Sequence, residues 1–334
     1  MMAKNSKKIA GFTLPELMVS IVIAAIVMAM AINVYIDMKN QYNKLNSKHQ
    51  INSKQLITKQ IFYNAISKIG FATKYGDMYQ ELVDNSGDSS GDIFGKFGIL
   101  TIGKSPIKGI KSLPESLTLD PESCDERVKN EKYFSQQNSI YCIQPNTDYI
   151  AIQRASLSST LKTNSSNNIF KVNRFQKEVV PEKDISMDDY LVLCNVFECD
   201  LVKTMAVTGD FVSTYSRVED KFKVGDYVGK YILEIFFVAD SGQKDKQGNK
   251  IYSLYEYVKQ NANDSEIYEL INDVSNLKVE YVLNADISQG GANLNWKQIA
   301  TQPISVKSDS VAALRISFKV ADDIFSKIFL LENT

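Results

Sequence analysis

Residues 12–36 are apolar at nearly every position and carry one charged side chain, Glu16. As a helix this run would extend about 37 Å at about 1.5 Å per residue, enough to cross a hydrocarbon core of about 30 Å with some tilt. Beyond it the pattern changes from continuous to striped. Met38, Tyr42, Leu45 and later Leu56, Phe62, Ala65, Ile66 and Ile69 recur at helical spacing among Lys, Asn and Gln. After Pro15 no proline or glycine interrupts the chain until Gly70, so 12–36 and its amphipathic continuation 37–70 predict one helix about 80 Å long. Pro15 suits a helix start, because a first-turn proline lacks only an amide that would be unpaired there anyway. The stripe requires a sheet or a partner helix to cover it, and packing on the chain's own core is the ordinary reading.

Residues 71–334 form one large domain, or a domain with an inserted lobe, by length alone. Polar turn-rich breaks at 84–92, 103–109, 164–168, 240–249 and 284–295 separate short β-branched and aromatic runs. The runs are 140–143, 149–153, 190–196, 201–208, 227–238, 251–258, 276–283 and 312–320. Several alternate, as in Leu314-Arg315-Ile316-Ser317-Phe318-Lys319-Val320, the period of a strand with one buried face. The class expected is α+β: a long amino-terminal helix, membrane-spanning in its first half, packed on the antiparallel sheets of a large globular domain. Residues 264–273 read as a helical turn or charged loop. The segment 76–123, rich in Gly, Ser and Asp, reads as the mobile or inserted part.

Charge orients the helix. Lys4, Lys7 and Lys8 precede the apolar run, whereas Asp37 and Lys39 after it cancel, so the basic-side rule places the first residues in the cytoplasm and everything after Asp37 beyond the membrane. A secretory signal would show a shorter apolar core followed by a small-residue cleavage site. Here the run is too long and a Gly11-Phe12 junction precedes it, so the apolar segment is expected to remain in the mature protein. Glu16 costs a few kcal/mol in a membrane when unpaired, which makes it a functional-site candidate in need of a cationic partner. The first turn of a helix also favours its negative charge.

The stretch Lys7-Lys8-Ile9-Ala10-Gly11-Phe12-Thr13-Leu14-Pro15-Glu16-Leu17-Met18 resembles the class III leader of type IV prepilins and pseudopilins. That resemblance implies a leader of residues 1–11, cleavage between Gly11 and Phe12 by the prepilin peptidase, a membrane aspartyl protease, and N-methylation of Phe12. It also implies that Glu16 pairs with the Phe12 amine of a neighbouring subunit, and that the stalk helix packs on its own domain below and on its neighbours above. A plain signal anchor, with Glu16 near the interface reaching water, is the alternative.

Further along, Thr147-Asp148-Tyr149-Ile150-Ala151-Ile152-Gln153-Arg154-Ala155, Asp189-Tyr190-Leu191-Val192-Leu193, Phe237-Val238-Ala239-Asp240 and Ser253-Leu254-Tyr255 resemble the PilW-like minor pilins and their type II secretion relatives. So do the run Tyr268-Glu269-Leu270-Ile271-Asn272-Asp273-Val274-Ser275-Asn276-Leu277-Lys278-Val279-Glu280-Tyr281, Trp296 and residues 311–318, while 71–132 lie outside the likeness. The resemblance implies a minor pilin that assists initiation of pilus assembly near the tip. It would reside in the bacterial inner membrane before assembly and in the pilus or pseudopilus afterwards. Its partners would be the prepilin peptidase, other major and minor pilins and the inner-membrane assembly platform. The rivals are a minor pseudopilin of type II secretion, a signal-anchored extracytoplasmic enzyme or binding protein, and an added adhesive or DNA-uptake role.

The remaining chemistry is sparse. Cys124, Cys142, Cys194 and Cys199 would lie outside the cytoplasm, where disulfides persist, and admit three pairings. Local closure favours Cys124 with Cys142 and Cys194 with Cys199. Zinc is the rival, yet no Cys-x-x-Cys pair occurs and the one histidine, His49, belongs to the stalk. Gly87-Asp88-Ser89-Ser90-Gly91 matches the Gly-x-Ser-x-Gly pattern of serine hydrolases, but its flanks read as a loop with no base nearby. Asp84, Asp88 and Asp92 in the same loop suggest Ca²⁺ only by composition, since their spacing is not that of an EF-hand. The lysines of 244–250 read as a solvated hairpin end. With 38 basic and 39 acidic residues there is no broad field for nucleic acid. No catalytic residue, metal or cofactor is expected.

Overall fold

The structure, a computed structural model, describes residues 14–69, 81–87, 99–108, 113–120, 122–124, 126, 142–173, 185–263, 265–287, 294–299, 304–306, 311–321 and 323–331. The chain divides into two compact units, Met1–Ser53 and Lys54–Thr334. In the first, every described residue belongs to helix α1 (Leu14–Ile66) and is exposed or, near its end, partly so. The second holds the last turns of α1 and all the strands.

Those strands are, in chain order, β1 (Glu81–Asn85), β2 (Leu100–Lys104), β3 (Asp148–Thr160), β4 (Ile169–Lys171) and β5 (Tyr190–Cys194). There follow β6 (Glu198–Thr208), β7 (Phe211–Thr214), β8 (Tyr227–Lys244), β9 (Lys250–Lys259) and β10 (Ser265–Asn272). The last are β11 (Val274–Leu283), β12 (Lys297–Gln298), β13 (Ile304–Val306), β14 (Val311–Val320) and β15 (Asp323–Leu330). One sheet follows the path β13-β2-β3-β8-β5-β6-β7-β4, with β1 joined to β6 and the β9–β10 hairpin added to β8. The β1–β6 pair is parallel and the other pairs are antiparallel. A second, antiparallel sheet runs β12-β11-β14-β15. The chain passes from one sheet to the other at Asp273, whose φ of 59° lies in the left-handed region.

Strand β8 organises the larger sheet. Tyr227 to Phe236 pair with β3 along one edge, while the opposite edge is shared by β5, opposite Tyr227 to Lys230, and β9, opposite Leu233 onward. Its alternation sorts two sets of contacts. Tyr231, Leu233, Ile235 and Phe237 join Tyr149, Tyr190, Tyr255 and Tyr257 in one buried cluster, with Ile107 and Leu117 from outside the sheet. Phe236 points the other way and meets Phe62 of α1, ring centroids 5.5 Å apart; Phe62 also lies 6.4 Å from Phe329 of β15. Thr58, Phe62, Ala65 and Ile66, spaced as one helical face, are the buried residues of α1. Burying a side chain of phenylalanine's size contributes about 1.5–3 kcal/mol, so Phe62 fastens the helix end to the strands.

The α+β class is present and each predicted run with described residues holds a strand except 140–143, whose described residues form only an isolated bridge from Ile143 to Ala239; four further expectations change. The stripe on α1 is core only at its end: Phe62, Ala65 and Ile66 are buried, whereas Met38, Tyr42, Leu45 and Leu56 are exposed. Residues 264–273 contain β10, an edge strand on β9, because a register shift between Glu269 and Ile271 breaks the alternation that would have marked it. The segment 76–123 is not simply an insertion. Its β2 lies between β3 and β13, and Ile99, Leu100, Ile102, Ile107 and Leu117 are buried. Gly103 belongs there for a steric reason: a Cβ on it would fall 2.5 Å from the ring of its cross-strand partner Tyr149. Finally, β15 adds a strand beyond 312–320.

Candidate functional site

Two residue sets qualify: the start of α1 and the polar groups within the β-domain. At the first, Gly11 and Phe12 lie outside the described residues. Glu16 sits in the first turn of α1, where the helix dipole favours a carboxylate. One turn on, Ser20 Oγ lies 2.9 Å from the carbonyl oxygens of both Glu16 and Leu17, returning its donor to the helix backbone. From Leu17 through Ile36 the large aliphatic side chains are exposed, Ile23 by 56% and Met28 by 65%. By length and composition α1 is able to cross a membrane. Lipid or the apolar helices of other chains would satisfy such a surface.

Residues 6–32 match the prokaryotic N-terminal methylation motif. That match marks a prepilin-type amino terminus. It supports a type IV pilin-like or pseudopilin-like protein, processed by prepilin peptidase and taking part in pilin assemblies. Motif and apolar helix together fit a single-pass, membrane-anchored pilin. No curated protein and no solved structure matches the chain.

The β-domain holds its candidate residues in structural roles. Cys124 is bonded to Cys142 and Cys194 to Cys199, the two local pairings. The first ties residues 122–124 to the approach to β3. The second closes the β5–β6 hairpin across directly opposed residues, with Phe197 exposed at its tip. Asn195 Oδ1 accepts from the N–H groups of Phe197 and Glu198 and orders that turn. All four cysteines are thus unavailable to zinc, and His49 lies on the exposed part of α1. Among the described residues no group of three His, Cys, Asp or Glu side chains is placed to hold a metal ion.

Of the loop at 84–92, Asp84 Oδ1 accepts from Ser86 N–H at 3.0 Å; Asp88, Ser89, Ser90, Gly91 and Asp92 lie outside the described residues. In the 244–250 hairpin, Asp245 accepts from the side chain and backbone N–H of Asn249 and from the backbone N–H of Gln247, which holds its carboxyl below the usual range. The lysines there have the company expected of a solvated turn: Lys250 Nζ lies 3.2 Å from Asp240.

Several buried charges had no signal in local sequence. Lys230 Nζ lies 3.0 Å from Asp189, whose carboxylate also accepts from Ser186 N–H at 2.7 Å and Asn261 Nδ2 at 2.9 Å. Arg154 pairs with Glu234 on adjoining strands. Close by, burial and then the charge of Glu234 push the Glu256 carboxyl up to about 7, against a smaller opposing effect of Arg154. Burial likewise raises Asp148, although Val279 N–H donates to it at 2.8 Å, and Asp200, although Lys221 and Asn85 oppose the rise. These groups join strands distant in sequence, and only the fold brings them together.

Proposed function

We propose that this chain is a minor pilin of a type IV pilus, PilW-like in kind, that serves as a structural subunit and not as an enzyme. It would be stored in the inner membrane with its amino terminus cytoplasmic, cut after Gly11, methylated on Phe12 and drawn into a filament through its apolar helix. Glu16 would pair there with the Phe12 amine of a neighbouring subunit. The observation that carries this reading is the methylation motif over residues 6–32, which runs into a helix long and apolar enough to cross a membrane. A domain as large as Lys54–Thr334 favours a minor role near the tip, because a lattice of closely spaced subunits would have to accommodate its bulk at every step.

The test is the intact mass and amino-terminal sequence of the protein from cells with and without prepilin peptidase. A peptidase-dependent product beginning at N-methylated Phe12 is expected. An uncut chain retaining residues 1–11 would sink the filament reading and favour a signal-anchored protein. Deletion then separates the two machines: loss of surface pili is expected for a minor pilin, loss of secreted enzymes for a type II pseudopilin.

A further inference from the structure

We propose that β15 is a self-association edge through which two copies of this chain pair, joining their four-stranded sheets. Among the described residues β15 ends its sheet, and it pairs with β14 along its whole length. Leu331 N–H continues that ladder onto Ala312 at 3.0 Å, so the odd-numbered residues direct their backbone groups at β14. The N–H and C=O groups of Ile324, Ser326, Ile328 and Leu330 therefore face the open edge.

The side chains of these same four residues share the outer face of the sheet, where Ile324 is 77%, Ile328 46% and Leu330 74% exposed. Natural edge strands are commonly blunted by charge, proline or a bulge. In β15 Lys327 is a charged residue of that kind, but it alternates with the aliphatic set and so sits on the other face. An open backbone edge with an aliphatic row beside it specifies an extended strand as occupant.

The arrangement is complementary to itself. Antiparallel pairing about a two-fold axis at Ser326 sets Ile324 opposite Ile328 of the second copy, and the reverse, so both aliphatic pairs form at once. Phe325 then faces Lys327, and no two like charges stand opposite. Shifting the axis to Lys327 would oppose the two Lys327 side chains, and shifting it to Phe325 would leave Ile324 against Ser326. The interface is isologous and needs no other chain. It does not depend on the filament reading.

Both disulfides are formed and no cysteine is free, so a cysteine introduced into the full-length chain is its single thiol. Ser326→Cys would place two thiols on the axis, whereas Ser317→Cys on β14, cross-strand partner of Ser326, would hold them about 14 Å apart at about 4.8 Å per strand. Membranes containing each full-length variant would be treated with a mild oxidant. The expected result is a homodimer from Ser326→Cys, at least tenfold less of it from Ser317→Cys, and its loss when Ile324→Lys or Ile328→Lys is added to Ser326→Cys. Retention of both native disulfides would verify that the added lysine leaves the domain folded. No dimer from Ser326→Cys, equal dimer from both cysteine variants, or capture of a different polypeptide by the thiol introduced in Ser326→Cys would each overturn the proposal.

Discussion

Lys230 Nζ and a carboxylate oxygen of Asp189 lie 3.0 Å apart, with 6% and 4% of their side chains exposed. Lys230 is on β8, and Asp189 immediately precedes β5, its neighbour. A buried ion pair gains little over an apolar pair, but removal of one member strands the other charge at a cost of about 3–5 kcal/mol. Lys230→Met and Asp189→Leu are each expected to destabilise the full-length protein by that order, and the double variant to recover most of the loss. Denaturant unfolding followed by near-ultraviolet circular dichroism measures this. Additive losses would show that the two residues act independently.

Glu256 makes stability depend on pH. Its carboxyl is raised from 4.5 to about 7 in the folded chain, so between those values the folded state holds a proton that the unfolded state has released. Stability from this group is therefore full below about 4.5, falls as pH rises through the window and reaches its floor above about 7. The total is about 3.5 kcal/mol at about 1.4 kcal/mol per unit. Glu256→Gln should abolish that part of the slope and exceed the parent in stability at pH 8. Melting temperatures of both proteins from pH 4 to 8 check it; parallel curves would remove Glu256 as the cause.

The two disulfides should contribute unequally. Cys124 and Cys142 are 18 residues apart and Cys194 and Cys199 only 5, for which loop closure gives about 3 and about 2 kcal/mol. Cys194 and Cys199 are also held opposite each other by the β5–β6 ladder whether or not their sulfurs are joined. Replacement of Cys124 and Cys142 by serine is expected to lower the melting temperature more than replacement of Cys194 and Cys199. The opposite order would show that the hairpin needs its clamp.

Glu16→Val should leave leader removal intact and reduce recovery of the protein in sheared filaments at least tenfold, as measured by immunoblotting of membrane and filament fractions. A variant incorporated as well as the parent would show that the carboxylate has no part in subunit pairing. A variant that remains uncut would place its role at the peptidase instead.

The sequence makes the helix and the central strands plain because both have strong periods. Residues 12–36 are apolar almost without interruption, and β14 alternates cleanly between Leu314 and Val320. Strands whose side chains depart from a clean period escape notice: β10 has its bulge after Glu269, and β15 carries Ile324 and Ile328 on one face and Phe325 and Phe329 on the other. The amino-terminal candidate was legible because leader, junction and acid are contiguous. The buried Lys230–Asp189 pair and the Arg154, Glu234 and Glu256 group were not, since each is assembled by pairing strands far apart in sequence.

Strand β8 has a final consequence, for opening of the domain. With β3 along one edge and β5 followed by β9 along the other, it cannot be released from one side without disturbing the remaining ladder. The terminal strands of each sheet are free to fray one at a time, whereas the amides of Leu233 to Phe236 are expected to exchange with solvent only when the whole domain comes apart. The domain is thus expected to show a gradient of deuterium exchange, slowest in the middle of β8 where strands flank it on both sides and fastest at the sheet edges.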